Sequence, residues 1–191
     1  RNRVRIIPFL KDGSWSTTLR NRQAKEALFL NGQPVQDTGT VSDLAQSYAA
    51  RIMGQRDFLI TLNQDEKLIN SLSHVEKNRT STHVHGMNHL SHLDHAVYLA
   101  SSNPTPIERA SARLFAMENG LDAEALVGSI MVERCYETAY QCVSRTSIRN
   151  RQTKPDKEHF IIVPDMQYAE YIANWFETGY SIIDTTQSYT R

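Results

Sequence analysis

The sequence predicts an α/β fold with a mostly parallel central sheet flanked by helices, and three observations carry that expectation. Short apolar runs at Val4–Leu10, Phe58–Leu62, Ala96–Ala100 and Phe160–Val163 read as buried strands, since a parallel strand covered on both faces has no polar side. Between them lie stretches of helical period at Val41–Gln55, about 106–119, about 122–143 and Gln167–Phe176. The composition is that of an ordinary globular chain: 191 residues, 40% hydrophobic and 22% charged, with only 8 Gly and 6 Pro. That length suits a single domain, 1–191, with enough apolar content for a sizeable core. Its apolar runs are too short for a transmembrane span or a secretory core, so no membrane partner is expected.

Taken in order, Val4–Leu10 is the first strand, and Pro8 demotes it towards an edge because proline cannot donate to a ladder. A polar, helix-permissive stretch with a turn at Asn31-Gly32 follows. In Val41–Gln55, Ser42 and Asp43 supply a start signal, while Leu44, Tyr48 and Ile52 recur on one face. The strand Phe58–Leu62 ends at the turn residues Asn63-Gln64-Asp65, and a short helix is expected over 65–73. Ser81–His83 reads as a short strand, followed by a polar loop to about His92. Ala96–Ala100 closes at Ser101-Ser102-Asn103-Pro104, and Phe160–Val163 at Pro164-Asp165. The last helix carries Tyr168, Tyr171, Ile172 and Trp175 on one side. Ligands of such sheets sit beyond the carboxyl ends of the strands, which directs attention to Asn63–Asp65, the 83–92 loop and Ser101–Asn103.

Lys+Arg and Asp+Glu both total 21, so net charge indicates no polyanionic partner, but the charges are unevenly spread. Residues 1–25 hold Arg1, Arg3, Arg5, Lys11, Arg20, Arg22 and Lys25 against Asp12 alone; residues 145–154 hold Arg145, Arg149, Arg151 and Lys154 with no acid. Cys135 and Cys142 are two helical turns apart, too far for a bridge, and reduced thiols suit the cytoplasm (the host's, if the protein is viral). The chain begins at Arg1 rather than Met, which suits a fragment.

Five of the 7 histidines (His83, His85, His89, His92 and His95) crowd one loop. His92-Leu93-Asp94-His95 resembles part of the His-x-His-x-Asp-His signature of metallo-β-lactamase-like hydrolases. Leu90 stands where that signature needs a histidine, and Met87 and Asn88 replace the ligands expected after His83-Val84-His85. No metal site is assigned, although a metal-dependent hydrolase built on the 83–95 cluster stays open as an alternative reading.

A more specific feature is Tyr140-Gln141-Cys142-Val143-Ser144-Arg145-Thr146-Ser147-Ile148-Arg149. At i, i+4 on the final turns of a helix, Arg145 and Arg149 project from one side, where both can fork onto phosphate oxygens, with Gln141 one turn back. The same arginines could instead complement the helix dipole or join surface ion pairs.

The order of features resembles the second, C-terminal RecA-like domain of superfamily 2 (DEAD/DEAH-type, phage-like) helicases. Gln141-x-x-Ser-Arg145-x-x-x-Arg149 looks like helicase motif VI, with Ser144 in the usual glycine position and the second arginine four residues, not three, after the first. His85-Gly86-Met87-Asn88 before the strand Ala96–Ala100 looks like motif V, with Asn88 where Asp is usual, and Phe58–Asn63 like motif IV. Tyr140-Gln141, Asn103-Pro104 and Ile162-Val163-Pro164-Asp165 are similar to the corresponding points of phage-type helicase-like proteins. The similarity spans about residues 56–176; the first 55 match only loosely.

The resemblance implies a RecA-like domain forming half of an ATP cleft, with Arg145 and Arg149 acting on the β- and γ-phosphates, either being the arginine finger. It implies nucleotide contacts from Gly86, Asn88 and Gln141. Asn63, Thr82, His85, Arg151 and Lys154 become candidate contacts to a DNA or RNA backbone. The chain contains no Gly-x-x-x-x-Gly-Lys-[Ser/Thr], and Asp65-Glu66 lies in the wrong place for an acidic box. ATP and Mg²⁺ would therefore be held by an N-terminal RecA-like domain of the same polypeptide. A nucleic-acid-binding domain without ATPase function is a further alternative.

Overall fold

The computed structural model describes residues 3–24, 29–30, 33–34, 39–82, 88–149 and 157–190. Strand β1 (Arg3–Leu10) is followed by a short helix α1 (Thr17–Arg20) and a two-stranded antiparallel pair, β2 (Phe29–Leu30) and β3 (Gln33–Pro34), on either side of the predicted Asn31-Gly32 turn, which lies outside the described residues. Helix α2 (Val41–Met53) leads to β4 (Leu59–Thr61), a 3₁₀ segment over Asn70–Asn78, β5 (Arg79–Thr80) and β6 (Ala96–Tyr98). Helices α3 (Pro106–Glu118), α4 (Ala123–Met131) and α5 (Thr138–Val143) follow, the last two joined without a break by a π-helical turn over Val132–Glu137. Strand β7 (Glu158–Asp165), helix α6 (Met166–Ala173) and strand β8 (Ser181–Ile183) complete the described chain.

Six strands form one sheet in the order β5-β4-β6-β7-β1-β8, and every neighbouring pair is parallel. The expected α/β architecture, a parallel sheet flanked by helices as in RecA-like domains, is therefore present. Alternate residues feed two cores. Ile7, Phe9, Ile60, Val97, Leu99 and Ile162 pack on one face against α2 and the 3₁₀ segment. Val4, Ile6, Leu59, Ala96, Tyr98, Ile161 and Val163 pack on the other against α5 and α6. Period-2 alternation thus selects a core rather than a wet face. Phe9 centres the first core, with ring centroids 5.9 Å from Trp15, 5.4 Å from Tyr48 and 4.9 Å from Tyr189.

The structure revises several boundaries. Far from being an edge, β1 lies between β7 and β8. Pro8 is tolerated because β8 ends at Ile183, and the Pro8 carbonyl instead accepts from the Ser188 hydroxyl at 2.5 Å. Helix α2 starts at Val41 as expected but ends at Met53 rather than Gln55, and its cap is Thr40, to whose N–H Asp43 returns a bond in a capping box. The helix expected at 65–73 is the 3₁₀ segment 70–78, and the strand expected at Ser81–His83 is β5, two residues earlier. Two cations of the basic N-terminal cluster are neutralised: Arg5 pairs with Glu158 and Asp184, and Arg20, 3% exposed, with Asp65 and Glu66. Cys135 and Cys142 are free and buried. Among the described residues no helix is long and apolar enough to cross a membrane.

The strands β6 and β7 are entered through a polar seam. His95 accepts from the Phe160 N–H at Nδ1 (3.1 Å), so its ring is neutral there, and its pKa falls from 6.5 to about 4. Burial is the main cause; Asp94 opposes it, and Arg56, His159 and Lys157 add to it. Because the folded state disfavours the charged ring, its contribution to stability is present above pH 6.5 and is lost as pH falls towards 4. Urea midpoints measured between pH 7 and 4 should fall more steeply for the wild type than for His95→Gln, which keeps an acceptor but cannot titrate. Equal slopes would place the acid sensitivity elsewhere.

Candidate phosphate-facing site

The helix formed by α4, the π turn and α5 stops at Val143, so Arg145 and Arg149 do not ride its final turns as the sequence spacing suggests. Ser144 caps the helix, Arg145 N–H bonds to Cys142 O (3.1 Å), and Thr146 uses both its N–H and its hydroxyl on Val143 O. Arg149 ends a 3₁₀ turn, Ser147–Arg149. The chain tightens here because Ser147 is pulled towards the loop before β6: its N–H bonds to Leu93 O (2.8 Å) and its hydroxyl to Asp94 Oδ1 (2.7 Å). Short hydroxyl side chains that bond nearby carbonyls and carboxylates compete with helix continuation.

Asp94 is the hub of this junction. Besides Ser147 it pairs with Lys157, and its carbonyl accepts from His159 Nδ1 at 2.8 Å. Burial pushes its pKa up, but Lys157 and Ser147 together more than offset that, and the net shift is downward. The residues that lead into β6 and the segment resembling motif VI are therefore joined through Asp94 and Ser147, at the amino ends of β6 and β7.

Gln141, Ser144, Arg145 and Arg149 line one pocket of about 520 Å³, together with Tyr140, Ile148 and Phe176. Both arginines are without a side-chain hydrogen bond or ion pair among the described residues, which sets them apart from Arg5 and Arg20. The nearest acid on the helix is occupied: Glu137 accepts from Gln141 Nε2 (3.0 Å) and from the Tyr171 hydroxyl (2.8 Å). That bond fixes the Gln141 amide and leaves its carbonyl oxygen without a protein partner among the described residues. Two unpaired guanidiniums beside polar acceptors and donors form a site for an anion with several oxygens.

The other expected contacts are distributed differently. The Asn63 amide is fully used inside the protein: Nδ2 donates to Ser101 O (2.9 Å), and Oδ1 accepts from Ser101 N (2.7 Å). This clamp joins the carboxyl ends of β4 and β6. Asn103 similarly bonds to Trp15 O, and Trp15 Nε1 to Leu99 O. Asp65 and Glu66 hold the buried Arg20. Thr82 is half-buried beyond β5, remote in sequence from the arginine pocket. Asn88 opens a 3₁₀ turn, Asn88–Leu90, and its side chain lies outside the described residues, as do His85, Gly86, Arg151 and Lys154.

Of the histidine cluster, His89 and His92 are exposed and His95 is tied to β7. Among the described residues no group of three or more His, Cys, Asp or Glu side chains converges as a metal site. Sequence reasoning found Gln141 and the two arginines but missed Tyr140 and Phe176 as pocket walls. The i, i+1 spacing of Tyr140 and Gln141 carries one signal for Tyr140; nothing local points to Phe176, which arrives from another element.

No family model, curated protein or solved structure matches this chain. Its site is accordingly interpreted from its own geometry.

The contrast between clamp and pocket can be measured by thermal or urea unfolding. Asn63→Ala should cost about 1–3 kcal/mol, because it strands the buried Ser101 N–H and carbonyl. Arg145→Ala and Arg149→Ala should each change stability by no more than about 0.5 kcal/mol, since no protein partner is lost.

Proposed function

We propose that the chain is the second motor domain of an ATP-dependent nucleic-acid helicase or translocase, contributing Arg145 and Arg149 to an ATP site shared with another RecA-like domain. The observation that carries this reading is the convergence of two guanidiniums, both unpaired among the described residues, on one open pocket beside Gln141. An all-parallel α/β sheet and the chain order of the segments resembling motifs IV, V and VI support it.

The position of the pocket also fits a shared site. A nucleotide bound wholly within one α/β domain is expected at the carboxyl edge of its sheet. Here the carboxyl-edge side chains Asn63, Asn103 and Asp65 are committed to internal bonds, while the free cations lie beyond α5. In this reading the arginines reach outwards to phosphates shared with the first domain, which would also hold Mg²⁺. The two unpaired cations fit a polyphosphate; Mg²⁺, when bound with ATP, supplies charge neutralisation at the β- and γ-oxygens.

The chain's own residues would act in three ways. Arg145 and Arg149 stabilise negative charge that grows on the transferring phosphoryl group, each through a planar fork of donors. Gln141, held by Glu137, supplies a positioned amide. The Asp94–Ser147 link ties the arginine turn to the loop that precedes β6, so a shift of that loop on a nucleic-acid strand would be felt at the arginines.

In the natural polypeptide carrying this domain, Arg145→Ala or Arg149→Ala should lower kcat for ATP hydrolysis by ~10²-fold or more while leaving the melting temperature nearly unchanged. Unchanged hydrolysis would refute the phosphate role. Residues 1–191 alone should be silent as an ATPase, and robust strand-stimulated turnover by that chain in a phosphate-release assay would contradict the division of labour proposed here.

A further inference from the structure

The arginine pocket has a second half that phosphate binding leaves unexplained. Tyr140 and Phe176 form walls of the same cavity as Arg145 and Arg149. Tyr140 is stacked on Trp175, with ring centroids 4.6 Å apart and planes 15° from parallel, and Trp175 remains 49% exposed. Phe176 is stacked in turn on Tyr180, at 6.1 Å and 18°. These rings come from different elements, since Tyr140 belongs to α5 and Phe176 and Trp175 follow α6. Their meeting beside the arginines is a product of packing.

Building on the ATP-site reading above, we infer that this pocket binds a whole nucleotide, the arginines taking its phosphates and the Tyr140–Phe176 side seating its base. The chemistry is divided as a nucleotide is divided. At the cationic end no carboxylate bonds either arginine among the described residues, and Glu137 directs its oxygens to the neutral donors Gln141 and Tyr171. At the aromatic end the half-buried Tyr140 ring offers flat, polarisable surface to a base against the buried Phe176, and the Tyr140 hydroxyl and Ser144 hydroxyl have no hydrogen-bond partner among the described residues. A volume of about 520 Å³ is within the range of small-molecule pockets.

A second pocket, of about 360 Å³, makes the contrast. It is lined by Arg5, Arg51, Phe160 and Asp184, but Arg5 is neutralised there by Asp184 and Glu158. Its other guanidinium, Arg51, has no ion pair among the described residues but lies over the Tyr48 ring at 5.6 Å, so this pocket lacks the two unengaged guanidiniums of the first. The inference therefore rests on the coincidence, in one cavity, of unpaired guanidiniums and aromatic walls.

The consequence is that the second domain binds nucleotide by itself and contributes to the preference for a nucleotide over bare polyphosphate. Trp175 offers a built-in reporter, since the other tryptophan, Trp15, is buried at 1% exposure. Residues 1–191 are titrated with ATP and with tripolyphosphate, followed by tryptophan fluorescence and calorimetry. ATP should bind about tenfold or more tightly than tripolyphosphate, the increment that stacking one base supplies. Tyr140→Leu should bring ATP down to the tripolyphosphate level and leave tripolyphosphate affinity unchanged. Arg145→Ala combined with Arg149→Ala should abolish both.

Equal affinities of the wild-type chain for ATP and tripolyphosphate would overturn the base seat while leaving the phosphate site intact. Binding of neither would overturn it as well, and the kcat of the arginine variants in the natural polypeptide would then judge the ATP-site reading separately. An oligothymidylate 12-mer that competes with ATP and loses about tenfold or more in affinity on Tyr140→Leu would also overturn it, by making the pocket a strand contact. If Tyr140→Leu disturbs the fold, seen as a lowered melting temperature, the comparison of ATP with tripolyphosphate in the wild type decides alone.

Discussion

A sheet made entirely of parallel strands must be covered on both faces, and that constraint organises this molecule. Each crossover carries the chain from the carboxyl end of one strand back to the amino end of the next, and these connections supply the helices and 3₁₀ segment that bury the faces. One core forms beneath α2 and the Asn70–Asn78 segment, the other beneath α5 and α6. The chain's first strand and its later strands β7 and β8 close together at the centre and edge of the same sheet. The N-terminal part of the sequence is thus integral to the fold, despite matching helicase motifs only loosely.

The same constraint separates two kinds of polar group. At the carboxyl edge, loops must pass close to one another over the ends of buried strands, and their side chains are used to satisfy each other's backbones. Asn63 with Ser101, Asn103 with Trp15, and Asp165 with Trp15, Gln167 and Tyr168 are of this kind. Burial raises the pKa of Asp165, and the backbone N–H groups it accepts only partly counter that. Arg20, sunk between Asp65 and Glu66, belongs to the same economy, since a buried cation without its carboxylates would be costly. Beyond α5, by contrast, Arg145 and Arg149 stand in a pocket with no acid bonded to them among the described residues. Arg5, Arg20, Arg79, Arg113 and Arg134 are paired with carboxylates, whereas these two share one pocket without such a partner among the described residues.

The turn that carries them is held from a distance. Asp94 and Leu93, just before β6, capture Ser147 and stop α5 from running on through the arginines. An α-helix would set the pair one turn apart on a rigid rod; the observed 3₁₀ turn curls them around Ile148, which anchors the segment in the second core. The position of the cations therefore depends on Leu93 and Asp94, at the entry to β6.

The sequence by itself determined the fold class, four of the six strands in the sheet and most of the helices, because apolar runs and 3.6-residue periodicity are local properties of the chain. It also brought Gln141, Arg145 and Arg149 forward as a group. It missed β8, whose apolar content is only Ile182-Ile183, and treated β1 as an edge on account of Pro8, since nothing local reveals that β8 stops short of that residue. It offered Asn63 as a contact to a nucleic-acid backbone and had no sign of the internal partner of its amide, which lies 38 residues away at Ser101. Only the tertiary structure decided where the arginine helix ends and which aromatic rings wall the pocket. Both depend on contacts between elements far apart in sequence, Ser147 with Asp94 and Tyr140 with Trp175, and the pattern within a single segment carries no trace of its partner.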